Sequence, residues 1–313
     1  MSDLRVLMLT NMYPTADRPM AGIFVAEQVR SLRARGVDLE VLFVDGSEGV
    51  GAYMRGFGRV REAVRQAPFD LIHAHYVFSG LMALAQRRAP IVLTHHGIET
   101  QRGWTAPLCR LTSRLVDRTL VTSRRVQAAL GRSDADIVPC GVDFTLFAPM
   151  EMPAARRSLG LPANRSLVLF AGMRRPEKRF ELVQAAVSML AVARPGVELV
   201  IAEAEPHEKM PLYMNACDVL VLASQAEGSP MVIKEAMACN LPIVSVDVGD
   251  VSELVEGVEG CYIAGGSAGE LAAQLGRALD FGGRTAGRAA VAHLSLEAIA
   301  ERLEGIYREV ARR

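Results

Sequence analysis

Two carboxylates, Glu227 and Glu235, bracket the stretch Glu227-Gly-Ser-Pro-Met-Val-Ile-Lys-Glu235. Ser229 is a good N-cap, and Pro230 suits the first helical position, where its missing N–H costs nothing. The pattern therefore sets Glu227 on a loop before a helix and Glu235 more than a turn inside it. Just upstream, Asp218-Val-Leu-Val-Leu-Ala223 reads as a buried parallel strand. A strand, a glycine-bearing loop and a helix N-terminus make an anion site, because free backbone N–H groups and the helix dipole both favour negative charge. The offset between the two acids amounts to roughly 12 Å of helix rise at most. Over that length two carboxylates can grip hydroxyls at opposite ends of a sugar–diphosphate–ribose, with the diphosphate between them. The same pattern also fits a capped helix with two solvated acids.

A second group lies in Phe170-Ala-Gly172-Met-Arg174-Arg175-Pro-Glu-Lys178-Arg179, which ends one strand and leads into a helix. Backbone at the carboxyl edge of a parallel strand faces ligand. Arg there is a bidentate fork for a diphosphate and Lys a point charge. Lys178 is one of only three lysines, so its presence hints at a geometric need; a solvated basic turn is the plain alternative. In the first half, Thr94-His95-His96-Gly97 ends a strand, and His73-Ala-His75 sets two imidazoles on one face of a neighbouring strand. These histidines invite a zinc reading, but no close Cys or acid completes a ligand set, so no metal is expected. His73 and His75 are better placed as cleft-wall packing or acceptor contacts. Gly22, between the first strand and the first helix, would let backbone approach a phosphate or sugar, or simply start the helix. Arg110, Arg114 and Arg118, beside Leu108, Leu111 and Leu115 and just after Trp104, suggest a basic amphipathic helix. It would rest either on anionic lipid or with its apolar face in the core. Met189, Met210, Met214 and Met237 read as packing.

The elements that must position these residues alternate strand and helix, which means parallel sheets covered on both faces. Strands are expected at 4–10, 39–44, 70–75, 90–95, 119–122 and 136–138, with a helix at 23–35 and a Gly-rich loop at 46–58. The breaker-rich run Val138–Pro149 reads as an interdomain linker. A second alternation follows: strands at 166–171, 197–202, 218–223, 242–246 and 260–263, and helices at 180–193, 208–216, 230–238 and 267–279. A last helix is expected over 296–312. The 313 residues suit two domains, and half of them are hydrophobic with zero formal net charge, which excludes a disordered or nucleic-acid-coating protein. Residues 1–150 carry 18 Arg against 14 acids, a mild excess that suits an anionic acceptor or membrane surface. Five cysteines without paired spacing favour reduced thiols and a cytoplasmic setting. No stretch approaches a membrane span, and the run Val6–Leu9 is too short for a signal core.

Glu227-Gly-Ser-Pro, Lys234-Glu235-Ala-Met-Ala, Leu241-Pro-Ile-Val-Ser and Val248-Gly-Asp-Val resemble the donor-binding segment of family 4 retaining glycosyltransferases. The linker is similar to the family's Pro-x-Gly-Val-Asp…Phe…Pro, with Cys140 where Asn is usual. The resemblance covers most of the chain. It implies an α/β fold of the GT-B type, two Rossmann-like doubly wound parallel-sheet domains facing a cleft. The expected parts are an acceptor-side domain over 1–145, a nucleotide-sugar domain over 146–290 and a terminal helix, 291–313, crossing back onto the first domain. It implies a retaining, metal-independent transfer, without a cofactor, from a UDP- or GDP-type donor to a glycan, glycolipid or small hydroxyl acceptor. The setting would be bacterial polysaccharide or cell-envelope glycan synthesis, on the inner face of the membrane with contact through 104–118. His96 carries over as the active-site histidine, with Glu227, Lys178 and Arg174 as catalytic partners. Gly22, Gly172, Arg174, Lys178, Glu227, Gly228, Ser229, Met231, Val232 and Glu235 carry over to the donor, Glu235 to its ribose. The family's Gly-Arg-x-x-x-x-Lys-Gly turn is altered here: Met173 holds the Arg position and Arg179 the second Gly, so Arg174 stands as the substitute cation. A sugar-nucleotide epimerase on the same architecture, or a non-catalytic sugar-nucleotide-binding protein, are the alternatives.

Overall fold

The computed structural model describes residues 4–101 and 103–312. They divide into two units, residues 1–141 with 296–313 and residues 142–295.

In unit 1, apolar runs become parallel strands, buried on both faces in the middle of the sheet and partly exposed at its two edges. These are β1 (Arg5–Thr10), β2 (Asp38–Phe43), β3 (Leu71–His75), β4 (Ile91–His95), β5 (Arg118–Val121) and β6 (Asp136–Ile137). Their order is β2-β1-β3-β4-β5-β6. The order reverses between β1 and β3, and the loops leaving those two strands part there, which opens a crevice at their carboxyl ends. The register puts Thr10 of β1 beside His75, and His75 beside Thr94 of β4. Leu7, Leu9, Ile72, Ala74, Leu93, Val60 and Met82 form the centre of one core.

The segment expected as a Gly-rich loop is instead a short 3-10 turn, Gly46–Glu48, and a long helix, Val50–Gln66. Glycine content misleads here, because the burial stripe Ala52, Gly56, Val60, Val64 has helical spacing. Gly56 is demanded by packing, since a Cβ there would strike the Met82 sulfur. The single basic helix expected over 104–118 also gives way. A helix spans Thr105–Thr112, a turn follows, and Arg118 opens β5, where it pairs with Asp136. Arg110, Arg114 and Arg118 therefore share no helical stripe.

The last helix, Leu296–Ala311, packs on the first, Ile23–Ala34, inside unit 1. Leu296, Ile299, Leu303, Ile306, Tyr307 and Val310 make its buried stripe, and Arg35 reaches Glu304 at 2.7 Å.

Unit 2 has β7 (Ser166–Ala171), β8 (Val197–Ala202), β9 (Val219–Leu222), β10 (Ile243–Val246) and β11 (Cys261–Ala264), all parallel, in the order β11-β10-β9-β7-β8. Its switch point lies between β7 and β9. Helix Phe180–Ala193 packs against helix Ala268–Phe281, which opens with a capping box of Ser267 and Glu270. Met189 is exposed on that first helix, unlike Met210, Met214 and Met237, which are buried. Arg288 fastens the start of the unit by donating to the carbonyls of Phe144 and Phe147, while its guanidinium lies over the Phe144 ring.

Candidate active site

In unit 2, β7 ends at Ala171 and turns sharply at Gly172, whose φ of 134° suits glycine and whose absent side chain leaves open space. A 3-10 turn, Pro176–Lys178, follows, and the backbone N–H of Gln225 donates to the Glu177 carbonyl at 2.8 Å. That bond ties the loop after β7 to the loop after β9. Across it the Lys178 ammonium donates to the Glu227 carboxylate at 2.6 Å. The two side chains are only 26% and 15% exposed. The structure thus brings together the cation and the acid that the sequence placed 49 residues apart.

Helix Met231–Ala238 starts one residue later than expected. Pro230 is the N-cap, and Ser229 does not cap it; the Ser229 hydroxyl donates to Asp250 at 2.5 Å instead. The proline ring and the β10 loop explain the change, because Gly249 sits against the Gly228 carbonyl and Pro230, close enough that a Cβ would lie 3.0 Å from that oxygen. Met231 and Val232 occupy the first turn, half buried, and Glu235 is buried one turn further in.

Arg174 is held by Glu203, which accepts from its backbone N–H at 2.8 Å and from its Nε at 2.6 Å. Those two donors hold the Glu203 carboxyl below its ordinary range. The guanidinium also lies 5.3 Å from the Phe180 ring centroid. Arg179 adopts the left-handed region, φ 49°, where glycine is favoured, and its Nε donates to the Ala223 carbonyl at 2.5 Å. This guanidinium therefore sits at the end of β9. Sequence reasoning noted the residue only as a departure, and its unusual backbone is the signal that marks it.

In unit 1, His96 follows β4 and is half buried between the rings of Phe24, 4.9 Å away, and Tyr76, 4.6 Å away. Its Nε2 lies 2.9 Å from His75 Nδ1, and its Nδ1 faces the Cys140 sulfur at 3.7 Å. Tyr76 has φ 70° at the end of β3, a strained conformation for a bulky residue. Glu99 accepts from the His96 backbone N–H at 2.6 Å; burial pushes its carboxyl up while those N–H bonds pull it down. Neither Tyr76 nor Glu99 was singled out from the sequence. His95 points to the other side of the sheet, fully buried, bonded to Ser113 at 2.9 Å, and burial lowers it to about 4.

His73 and His75 do not reach an acceptor. Both are fully buried: their strand face is covered by helices Ile23–Ala34 and Leu296–Ala311, which bring Gln28 and Tyr307 onto them. Burial holds His73 far below the ordinary imidazole range and His75 at about 3, so both are neutral. Gly22, at φ 67°, caps the first helix, and a Cβ would overlap the Met12 carbonyl. Its own loop is reason enough for a glycine. Among the described residues no group of three His, Cys, Asp or Glu could hold a metal ion.

Two family profiles match the chain, glycosyltransferase family 4 over residues 21–146 and glycosyl transferases group 1 over residues 203–280, together about two thirds of it. The chain belongs to the family 4, group 1 glycosyltransferases. D-inositol 3-phosphate glycosyltransferases of Mycobacterium bovis and Mycobacterium tuberculosis are 26% identical to it, over 93% of this chain and 71% of theirs. Among solved structures, a sucrose-phosphate synthase from Thermosynechococcus elongatus superposes with a TM-score of 0.81 at 20% identity, covering 98% of each chain. The Anabaena protein HepE, solved with UDP-glucose, superposes at 0.69 with 19% identity, over 98% of this glycosyltransferase and all of HepE. At such identities the likeness is one of fold, and the fold is GT-B.

Proposed function

We propose that this glycosyltransferase moves a sugar from a nucleotide-sugar donor to a hydroxyl acceptor, with retention of configuration and without a metal. The Lys178–Glu227 pair at the switch point of unit 2 carries this reading. A sugar diphosphate asks for a cation at its phosphates and an acceptor at its hydroxyls, and the pair offers both within one hydrogen bond. Lys178, with the N–H groups of the first helical turn at Met231 and Val232, takes the diphosphate; Arg174 joins them by leaving Glu203. Glu227 accepts from the transferred sugar and Glu235 from the ribose, while Gly172, Gly228 and Ser229 let the backbone approach. In unit 1, His96 handles hydroxyls of the donor sugar or acceptor, and Gly22 shapes the loop beside it. The bond from the anomeric carbon to the phosphate oxygen breaks, and the acceptor oxygen bonds that carbon on the same face. The acceptor's proton passes to the departing phosphate.

The UDP and UDP-glucose complexes of HepE support a UDP-type donor, with GDP as the competitor. The name of the mycobacterial relatives, D-inositol 3-phosphate glycosyltransferase, supports a hydroxyl-rich acceptor. We place the transfer in bacterial polysaccharide or envelope glycan synthesis. We also propose contact with anionic lipid on the cytoplasmic side, through Trp104, Leu111 and Leu115 with Arg110 and Arg114. A thermal-shift panel of UDP, GDP, ADP and TDP tests the donor site. A nucleotide at 100 times its Kd stabilises the folded state by about 2.7 kcal/mol. UDP should raise the midpoint in the native protein and not in Glu235→Ala; a flat response to all four nucleotides would overturn the reading.

A further inference from the structure

His73 and His75 touch no solvent, yet every ring nitrogen of the two has a polar neighbour. A neutral imidazole carries one N–H and one bare nitrogen, so a bond direction at one end dictates the direction at the other. Both rings lead back to the same amide. The Gln28 nitrogen lies 3.5 Å from His75 Nε2, and Gln28 also hydrogen-bonds the Tyr307 hydroxyl, lowering the titration point of a phenol that burial raises strongly. An amide nitrogen has two N–H donors, one for each of these neighbours.

From that starting point the protons follow in two branches. Tyr307, accepting from Gln28, gives its own proton to His73 Nδ1 at 2.6 Å, and His73 Nε2–H donates to Thr94 at 2.7 Å. His75, accepting at Nε2, donates from Nδ1 to His96 Nε2 at 2.9 Å. His96 then carries its proton on Nδ1, the nitrogen that faces Cys140. Turning the Gln28 amide over would reverse every proton in both branches at once. A single amide orientation thus settles which nitrogen of His96 is protonated, although Gln28 does not touch that ring's Nε2 except through His75.

We propose that Gln28, acting through His75, holds His96 as its Nδ1–H tautomer, turned to the Cys140 sulfur, so that a sugar or acceptor oxygen replacing that sulfur meets a hydrogen-bond donor. Gln28 and His75 are positioning residues. The use of His96 on a hydroxyl rests on the function proposed above; the tautomer itself does not.

Ring-nitrogen NMR shifts of the full-length protein labelled with 15N-histidine separate protonated from bare nitrogens. The chain has six histidines, and a His96→Asn spectrum identifies the signals of that ring. In the wild type, His96 should show a protonated Nδ1 and a bare Nε2. Gln28→Met, which keeps the bulk and removes the donor, should spread His96 over both tautomers while leaving His207 and His293 of the other unit unmoved as a folding control. A wild-type His96 protonated at Nε2 overturns the proposal, and so does an unchanged His96 in folded Gln28→Met. If Gln28→Met does not fold, the wild-type spectrum alone decides. Where turnover is measurable, kcat of Gln28→Met should fall in step with the share of the wrong tautomer while the donor KM holds. Undiminished kcat beside a scrambled His96 would overturn the positioning role. Absence of turnover in the wild type would count against the proposed function alone, since the tautomer is read without substrate.

Discussion

Lys178 and Glu227 illustrate what single residues contribute. Their ion pair is partly solvated, so its effect on stability stays within about 1 kcal/mol. Charge developing on a departing diphosphate is a larger demand, and losing one well-placed stabilising group costs about 100-fold or more in turnover. Lys178→Ala should therefore lower kcat by about 100-fold and move the urea midpoint little. Equal rates for the variant and wild type would remove Lys178 from the reaction. Arg174 and Arg179 show why residue type alone was insufficient here. Both are guanidiniums near the end of β7 or β9, yet Glu203 holds one and the Ala223 carbonyl the other. The partner that decides each lies 29 or 44 residues away.

Among the elements, the helix Thr105–Thr112 and the turn after it carry an unusual surface. Trp104, Leu111 and Leu115 are 70%, 53% and 57% exposed. No acid occurs between Glu99 and Asp117, while Arg110 and Arg114 lie among the apolar residues. Burying a leucine in lipid contributes up to about 2 kcal/mol, and each arginine near an anionic surface about 1 kcal/mol. Because Trp104 is the chain's one tryptophan, its fluorescence reports on this patch. Vesicles containing phosphatidylserine should shift its emission to the blue, neutral phosphatidylcholine vesicles should not, and Leu111→Asp with Leu115→Asp should abolish the shift. Emission that ignores the anionic vesicles would refute lipid contact. The helix Val50–Gln66 teaches the complementary lesson: its three glycines, Gly51 and Gly58 exposed and Gly56 buried, hid a burial stripe that only the packing against Met82 and Val44 makes plain.

For the whole molecule, buried neutral histidines make stability depend on pH. His73, His75 and His95 all titrate below the ordinary imidazole value because burial disfavours the charged ring. On unfolding they return to about 6.5, so below that pH the unfolded chain binds more protons and gains on the native one. Their neutral burial thus imposes no pH cost above about 6.5. Stability then falls as the pH drops towards about 4, by about 1.4 kcal/mol per pH unit for each imidazole. The thermal midpoint should fall steeply between pH 6.5 and 4.5, and His95→Gln should flatten that fall. A midpoint level across that range would show that the three rings are not held neutral. All three lie in unit 1, so unit 2 should resist acid better.

Much of this architecture is local in origin and so was legible in the sequence. Apolar runs of strand length, Gly and Pro punctuation and helical stripes determined two parallel-sheet regions, the linker near residue 140 and a last helix, because each depends on neighbours within a few residues. Glu227, Lys178 and His96 were likewise singled out as candidates, by type, by position and by the family resemblance. Tertiary structure alone decided which of them meet. Whether Lys178 reaches Glu227, or Arg174 turns to Glu203, depends on strand order and on the switch point, which no local pattern specifies. The fate of His73 and His75 shows it best. Alternation placed them on one strand face, but the helices that begin at Ile23 and Leu296 cover that face, so that residues expected as cleft-wall packing or acceptor contacts form a buried relay. Burial is a property of everything packed around a side chain, and a sequence read by local pattern does not contain it.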